Sequence, residues 1–233
     1  MCGRYTLTNP DPAKLRARFE IAESTEIASG EGPRFNIAPT DPVLAVRRRV
    51  DAGRELGRLR WGLVPGRWAT ERSGPPLINA RAETLASQPA FAESFRGRRC
   101  LVPADGFYEW LDDEHGKRPI WISRPDGDLF AFAGVWAALA QPGSDDELHS
   151  CAIVTCEPNE LIRPVHDRMP AILAPEAEAA WLDPGRDQSA LLALLAPAPA
   201  EALALREVSD AVNDVREDGP HLIAPREEQH ALF

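Results

Sequence analysis

The sequence has no long apolar segment and no export signal, and both absences exclude classes of protein. A membrane-spanning helix needs about 18 consecutive apolar residues, and every apolar run in this sequence is much shorter. The first residues lack the basic stretch followed by an apolar one that is typical of a secretory signal. We therefore predict a protein with no membrane partner that stays in the cytoplasm.

Cysteine is also scarce, with four residues in a chain of 233. This number does not make a disulfide scaffold in a chain of this length. Cys151 and Cys156 lie in an apolar stretch, but a structural zinc site needs a second such pair or clustered histidines, and neither is present. We interpret these two and Cys100 as small buried hydrophobic residues. The sequence therefore predicts a reducing compartment, no metal and no organic cofactor.

Lysine is nearly missing, because arginine supplies almost all of the 26 basic residues. The net charge of -10 argues against a nucleic-acid partner, yet the charge is unevenly distributed. Residues 1–100 hold 17 basic and 11 acidic side chains, whereas residues 101–233 hold 9 and 25. A dense spot such as 47–49 is either a solvated face or a patch whose arginine forks grip phosphates. The first part could therefore present a basic surface while the second keeps the protein in solution.

Short apolar runs separated by turns predict the fold. Turn residues favour strands at 43–49, 56–64, 99–103, 106–111, 119–123, 129–135, 150–156 and 169–173. Helices are predicted from residue 12 to about 22 and at 82–95, 157–163, 175–182 and 191–195, with a loop at 27–42. The class is α+β, with a curled, mainly antiparallel, barrel-like sheet and peripheral helices. We expect one domain over 1–233, with a basic part (1–100) and an acidic part (101–233).

Cys2 offers unusual chemistry if Met1 is removed. The mature terminus would then carry an amine and a thiol on one carbon, a pair that can condense with an aldehyde and close a thiazolidine ring. The amine titrates near ~7.7–8.0 and the thiol near ~8.5, so both are partly nucleophilic at neutral pH. A cysteine on a mobile terminus is commonly accidental, and the residue alone decides nothing.

Five motifs in a fixed order reverse that balance. They are Cys-Gly-Arg at 2–4, Trp-Gly-Leu-Val-Pro at 61–65, Asn-Ala-Arg-Ala-Glu-Thr at 79–84, Gly-Phe-Tyr-Glu-Trp at 106–110 and His-Asp-Arg-Met-Pro at 166–170. With the tail at 212–220, they closely resemble the SOS response-associated peptidase family, also called abasic-site-processing proteins. The resemblance spans nearly the whole chain, and its motifs are specific only in combination.

The resemblance implies a function in the response to DNA damage. Family members link covalently to abasic sites in single-stranded DNA, whose open sugar presents an aldehyde at C1′. Cys2 is then expected to form a thiazolidine with that sugar and so shield the lesion, as a monomer at damaged DNA in the nucleoid. Strand cleavage by β-elimination at the imine is a conceivable side reaction. Some relatives remove a leader themselves, but ordinary methionine removal suffices where only Met1 precedes Cys2.

Three more residues match the family's catalytic positions. Glu109 matches the acid–base carboxylate that opens the sugar and removes water, and its aromatic neighbours predict a pKa raised by desolvation. His166 matches a histidine that holds a phosphate or sugar hydroxyl, or relays protons. Asn79 matches an asparagine that orients Cys2 or the aldehyde oxygen. Taken singly, these are also compatible with a solvated glutamate, a structural histidine and a turn former.

The resemblance also implies contacts with DNA. The matching side chains are Arg4, Arg81 and Arg168 on phosphates and Trp68 and Trp110 beside the bases, where stacking contributes ~1–3 kcal/mol per base. Arg67 stands where some relatives have a second aromatic, and we expect it to hold a phosphate instead. Core packing is the alternative for each tryptophan.

Two other functions stay open at this point. An amidase or peptidase with an amino-terminal nucleophile would use the Cys2 thiol to attack a carbonyl, with its own amine as the base. A non-catalytic module that only binds single strands would need neither an exposed terminal thiol nor an acid–base carboxylate.

Overall fold

The computed structural model describes residues 2–22, 32–49, 53–65, 76–114, 116–140 and 146–226. The strands are β1 (Tyr5–Leu7), β2 (Arg34–Ile37), β3 (Pro42–Arg49), β4 (Gly53–Trp61), β5 (Asn79–Arg81), β6 (Arg99–Ala104), β7 (Gly106–Asp113), β8 (Gly116–Ser123), β9 (Phe130–Ala140), β10 (Glu147–Cys156), β11 (Met169–Pro170), β12 (Ile172–Leu173) and β13 (Ala204–Glu207). The α-helices are α1 (Pro12–Phe19), α2 (Ala92–Gly97), α3 (Pro175–Leu182) and α4 (Gln188–Ala193).

Five strands close into a barrel. The ring runs β10–β4–β3–β6–β9 and returns to β10, and its pairs are antiparallel except for β4 with β10. A second, five-stranded sheet has the order β13–β8–β7–β1–β2. Strand β5 joins the end of β10 in parallel. This architecture confirms the predicted α+β class with a curled, mainly antiparallel, barrel-like sheet.

An aromatic cluster joins the second sheet to the barrel. Tyr5 on β1 meets Trp61 on β4 and Phe132 on β9 edge to face, at centroid distances of 5.4 and 5.7 Å. All three rings are fully or almost fully buried. Such edge-to-face pairs add about 0.5–1.5 kcal/mol beyond the area they bury. The segment before β1, which contains Cys2, is therefore held firmly against the barrel.

The helices begin where the sequence chemistry favours a start. Asp11 caps α1, since its side chain accepts a hydrogen bond from the Ala13 amide at 2.8 Å. The helix ends at Phe19, three residues earlier than predicted, because Glu20 takes a left-handed conformation at φ 51°. Helix α3 has the predicted bounds. No helix in the described residues is long and apolar enough to cross a membrane.

Three local predictions were wrong. Residues 157–159 have no regular structure and residues 160–165 form turns, instead of the predicted helix at 157–163. The Asn159 side chain accepts from the Ile162 amide and donates to the Ala198 carbonyl, which replaces helical hydrogen bonds. The predicted helix 82–95 is a 3-10 turn at Ala82–Thr84 followed by the separate α2. The predicted loop 27–42 contains β2, an extended segment that pairs with β1. In the first case a side-chain hydrogen bond, and in the third case tertiary pairing, outweighs local propensity.

Candidate functional site

Cys2 lies just before β1 and is buried. Asn79, on β5, donates from Nδ2 to the Cys2 carbonyl oxygen at 2.8 Å, and the Cys2 thiol lies 3.9 Å from the Arg4 carbonyl. Burial raises the pKa of the Cys2 thiol well above its usual range. The thiol of the translated chain is therefore protonated at neutral pH.

Asn79 is placed by two bonds to the residue before it. The Ile78 carbonyl accepts from the Trp61 indole at 2.9 Å and from the Ile153 amide at 3.0 Å. Asn79 itself stands opposite Ile153 in the parallel register of β5 and β10. Its Oδ1 is buried and has no hydrogen-bond donor within the described chain.

Glu109 is a carboxyl buried in the middle of β7, with 2% of its surface exposed. Burial raises its pKa to about 7, as the sequence predicted in direction. The Glu109 charge also raises the pKa of the Cys2 thiol, as the second cause after burial of the thiol. A carboxyl with this pKa exchanges protons readily at neutral pH.

His166 faces Glu109 from the turn before β11. Its Nε2 lies 3.9 Å from Glu109 Oε2, and its Nδ1 accepts a hydrogen bond from the Arg168 amide at 2.9 Å. That bond leaves the ring proton of neutral His166 on Nε2, towards Glu109. Burial lowers the pKa of His166, while the Asp167 carboxylate, 2.9 Å from Nδ1, opposes the shift.

The structure thus brings the four predicted catalytic residues to one place. Cys2 is bonded to Asn79 and interacts with the charge of Glu109, which lies beside His166. Their catalytic roles stay a prediction. Within the described chain, no group of three or more histidine, cysteine or acidic side chains could hold a metal ion.

Two of the predicted phosphate-binding arginines are engaged within the protein. Arg4 donates through Nη1 to Asn36 Oδ1 and to the Val212 carbonyl, both at 2.8 Å. Arg168 makes a two-point ion pair with Glu83 at 2.8 and 3.0 Å and also donates to the Thr155 carbonyl at 2.7 Å. A DNA phosphate at Arg168 would therefore compete with a carboxylate.

The remaining predicted DNA contacts differ in what surrounds them. Arg81 ends β5 and is exposed. Trp110 is half-buried, with its indole nitrogen donating to Asn213 Oδ1 at 2.9 Å and the Lys117 ammonium 6.0 Å from its ring. Arg67 and Trp68 lie outside the described residues.

Sequence reasoning missed two acidic neighbours of the site. Glu83 neutralises Arg168, and Asp167 lies against His166. Both belong to the motifs that were recognised, at 79–84 and 166–170. The sequence contained one hint of these neighbours: Glu83 is two residues from Arg81, and Asp167 is next to His166. Such spacing does not tell which side chains face one another.

Two cavities among the described residues bear on the location of the site. The larger, about 1080 Å³, lies between α1 and β12 and contains none of the predicted site residues, so it does not mark the candidate site. The smaller, about 390 Å³, is polar and is lined by Arg81, Glu157, Pro158, Arg163, Asp167 and Arg168. Its lining includes Arg81, two residues after Asn79, and Asp167, the residue after His166.

Comparison with known proteins agrees with this architecture. The chain is 39% identical over 226 residues to the abasic site processing protein YoqW of Bacillus subtilis, covering 96% of this chain and 99% of that one. It is 32% identical over 229 residues to the abasic site processing protein YedK of Escherichia coli, covering 97% and 100%.

Solved structures share the fold. A protein of Bacteroides thetaiotaomicron superposes with a TM-score of 0.81 at 22% identity, covering 97% of this chain and all of that one. A phage-related protein of Bordetella bronchiseptica superposes with a TM-score of 0.68 at 32% identity, covering 89% and 94%. The family model for SOS response associated peptidase (SRAP) matches residues 1–215. The chain therefore belongs to the SRAP family.

Proposed function

We propose that this protein processes abasic sites in single-stranded DNA by capturing the open sugar on Cys2. After removal of Met1, the amine of Cys2 adds to the C1′ aldehyde, and loss of water leaves an imine. The sulfur then adds to the imine carbon while its proton passes to the nitrogen, which closes a thiazolidine. Atoms balance in this sequence, since one water leaves and no oxidant or reductant takes part.

One observation carries the proposal: the Glu109 carboxyl is buried, lies 3.9 Å from His166 Nε2 and acts electrostatically on the Cys2 thiol. Burial raises the pKa of this carboxyl to about 7. Glu109 in its acid form donates a proton to the leaving water, and its carboxylate takes one from the attacking group. A positioned acid or base typically contributes ~10²–10⁴ in rate. A module that only binds DNA has no use for such a group, and its burial lowers stability.

Asn79 and His166 have supporting roles in this scheme. The Nδ2 of Asn79 holds the Cys2 carbonyl, and its buried Oδ1 is available to the Cys2 amine or to the hydroxyl formed from the aldehyde. His166 relays protons through Nε2 between Glu109 and the sugar. Arg4, Arg81, Arg168 and Trp110 contact the strand, and the protein acts as a monomer in the cytoplasm.

An amidase with Cys2 as the amino-terminal nucleophile is less well supported. That reaction needs sulfur to attack first, whereas burial and the charge of Glu109 both raise the pKa of the thiol. Attack by the amine, with sulfur following onto an imine, needs no thiolate at the outset. Strand cleavage at the imine by β-elimination is a side reaction of the same intermediate.

A denaturing gel tests the proposal. The protein is incubated with single-stranded DNA that contains one abasic site, and a heat-stable, slowly migrating adduct is expected. Cys2→Ala should abolish it, Glu109→Gln and His166→Ala should slow it, and Glu93→Gln, on an exposed glutamate of α2, should leave it unchanged. Intact mass establishes whether Met1 is absent. An amidase gives no adduct, and a simple binder gives a shift that is lost on denaturation.

A further inference from the structure

We infer that Arg163, together with Arg81, binds the DNA phosphate next to the captured sugar. This inference rests on the proposed function and adds a residue that lies outside the five recognised motifs. Arg163 belongs to the turns at 157–168, which also carry His166. With Arg81 it lines the polar cavity of about 390 Å³.

The two guanidinium groups differ from those of most arginines in the described chain. Most described arginines are ion-paired, as Arg168 is with Glu83. Arg81 and Arg163 are exposed and make no ion pair within the described chain. Among the described residues, the one hydrogen bond from the Arg163 side chain is a long one, 3.4 Å, to the Pro158 carbonyl. Both groups therefore retain their fork of donors for a phosphate, which arginine binds in two-point contacts.

Both arginines also lie near the candidate catalytic residues in the chain. Arg81 lies two residues after Asn79 on β5, so the two side chains project from the same face of the strand, about 7 Å apart along it. The Arg163 amide donates to the Asn159 carbonyl, and the His166 amide to the Ile162 carbonyl, both at 2.9 Å, which orders the turns between them. Two residues that line the cavity are therefore near the candidate site in the chain: Arg81 is two residues from Asn79, and Asp167 is next to His166.

Charge in the cavity is finely balanced. Arg168 is neutralised by Glu83, and Asp167 lies against His166. Glu157 also lines the cavity and opposes an incoming phosphate. The cations of this cavity that have no ion pair within the described chain are Arg81 and Arg163, and removal of either should weaken its attraction for an anion.

Reversible binding measures this contribution directly. In a Cys2→Ala background, which cannot form the adduct, anisotropy of a labelled single strand with one abasic site gives the dissociation constant between about 50 and 200 mM salt. Arg163→Gln and Arg81→Gln should each weaken binding and reduce the steepness of its salt dependence by about 0.7, the value of one phosphate contact on a single strand. Glu157→Gln should tighten binding, and Arg186→Gln, an exposed arginine between α3 and α4, should change neither quantity.

Truncated strands locate the phosphate. With the abasic sugar at one end of the strand, the phosphate on that side is missing. Arg163→Gln should then have no effect for one of the two ends and its full effect for the other. Equal affinity and equal salt dependence of Arg163→Gln and the parent would overturn the inference, as would an effect that persists with both truncated strands. If the parent protein still forms the adduct, such a result overturns only the role of Arg163 and leaves the proposed function intact. If the parent protein forms no adduct, the proposed function itself is wrong.

Discussion

Asn79 holds the carbonyl oxygen of Cys2 at 2.8 Å, although 77 residues separate the two in the sequence. This bond ties the start of the chain to the short strand beside β10, where Trp61 and Ile153 fix the preceding carbonyl. The position of Cys2 therefore depends on β5 and not only on its neighbours in the chain.

Asn79→Asp removes the donor while keeping the shape of the side chain. A carboxylate oxygen then faces the Cys2 carbonyl, so the bond is replaced by repulsion. Losing a hydrogen bond to a buried acceptor costs about 1–3 kcal/mol, and we expect adduct formation to slow about 10-fold or more. Single-turnover rates on abasic single strands measure this. Thermal unfolding serves as the control, and an unchanged rate in a folded variant contradicts the role of the bond.

Glu109→Gln should change how the stability of the protein depends on pH. Burial raises the pKa of Glu109 from 4.5 to about 7, so the folded state binds more protons than the unfolded state between these values. The unfolding free energy of the parent therefore falls as pH rises through this window, by at most about 3 kcal/mol from this group. Urea denaturation at pH 4.5 and pH 8 measures the unfolding free energy of both proteins. Relative to the parent, the variant should be more stable at pH 8 than it is at pH 4.5. A difference that is independent of pH contradicts the raised pKa.

Asp167→Asn should lower the pKa of His166 further. Burial already lowers it, and the Asp167 carboxylate near Nδ1 works in the opposite direction. Removing that charge leaves burial less opposed, so the imidazolium is less stable. Titration of the imidazole resonances by NMR measures both proteins. A pKa that rises or stays the same in the variant would show that Asp167 does not act on the ring.

Glu83→Gln should strengthen reversible binding to single-stranded DNA. The two-point pair with Arg168 is neutral as a whole, and loss of the carboxylate charge leaves one net positive charge beside the site. We expect a severalfold gain in affinity that is largest at low salt. Glu93→Gln is the matched control, because Glu93 on α2 pairs with Arg98, just after the helix, at 2.9 Å in an exposed position. Equal gains in both variants would assign the effect to net charge alone.

Gly106→Ala should destabilise the second sheet. A Cβ at this position would overlap the indole ring of Trp121, so the ring or the strand must shift. Overpacking of this kind costs about 1–3 kcal/mol. Gly97→Ala is the control, since a Cβ there meets nothing within 4 Å. The urea midpoint of Gly106→Ala should be clearly lower than that of Gly97→Ala. Because Glu109 lies on the same strand, β7, a shift of this strand should also displace its carboxyl.

Sequence patterning predicted most strands because alternating apolar residues and turn residues act locally. Strand β7 and helix α3 follow directly from such patterns, and the helix bounds match. The turns at 157–168 do not, because the Asn159 side chain competes with helical hydrogen bonds through a contact with Ala198. Strand β2 was missed since its extended form depends on β1 and on Asn36, which holds three carbonyls of the segment 212–217.

The sequence by itself determined which groups are available: a thiol at position 2, the order of the motifs, and the excess of arginine over lysine. Only the tertiary structure decided how they act. Pairing of β1 with β7 and of β5 with β10 brings Cys2, Asn79 and Glu109 together. The carboxyl is buried there, and burial is what raises its pKa. The tertiary structure also decided that Arg168 is paired while Arg81 and Arg163 are not. Such properties depend on distance and desolvation in three dimensions, and spacing along a chain specifies neither.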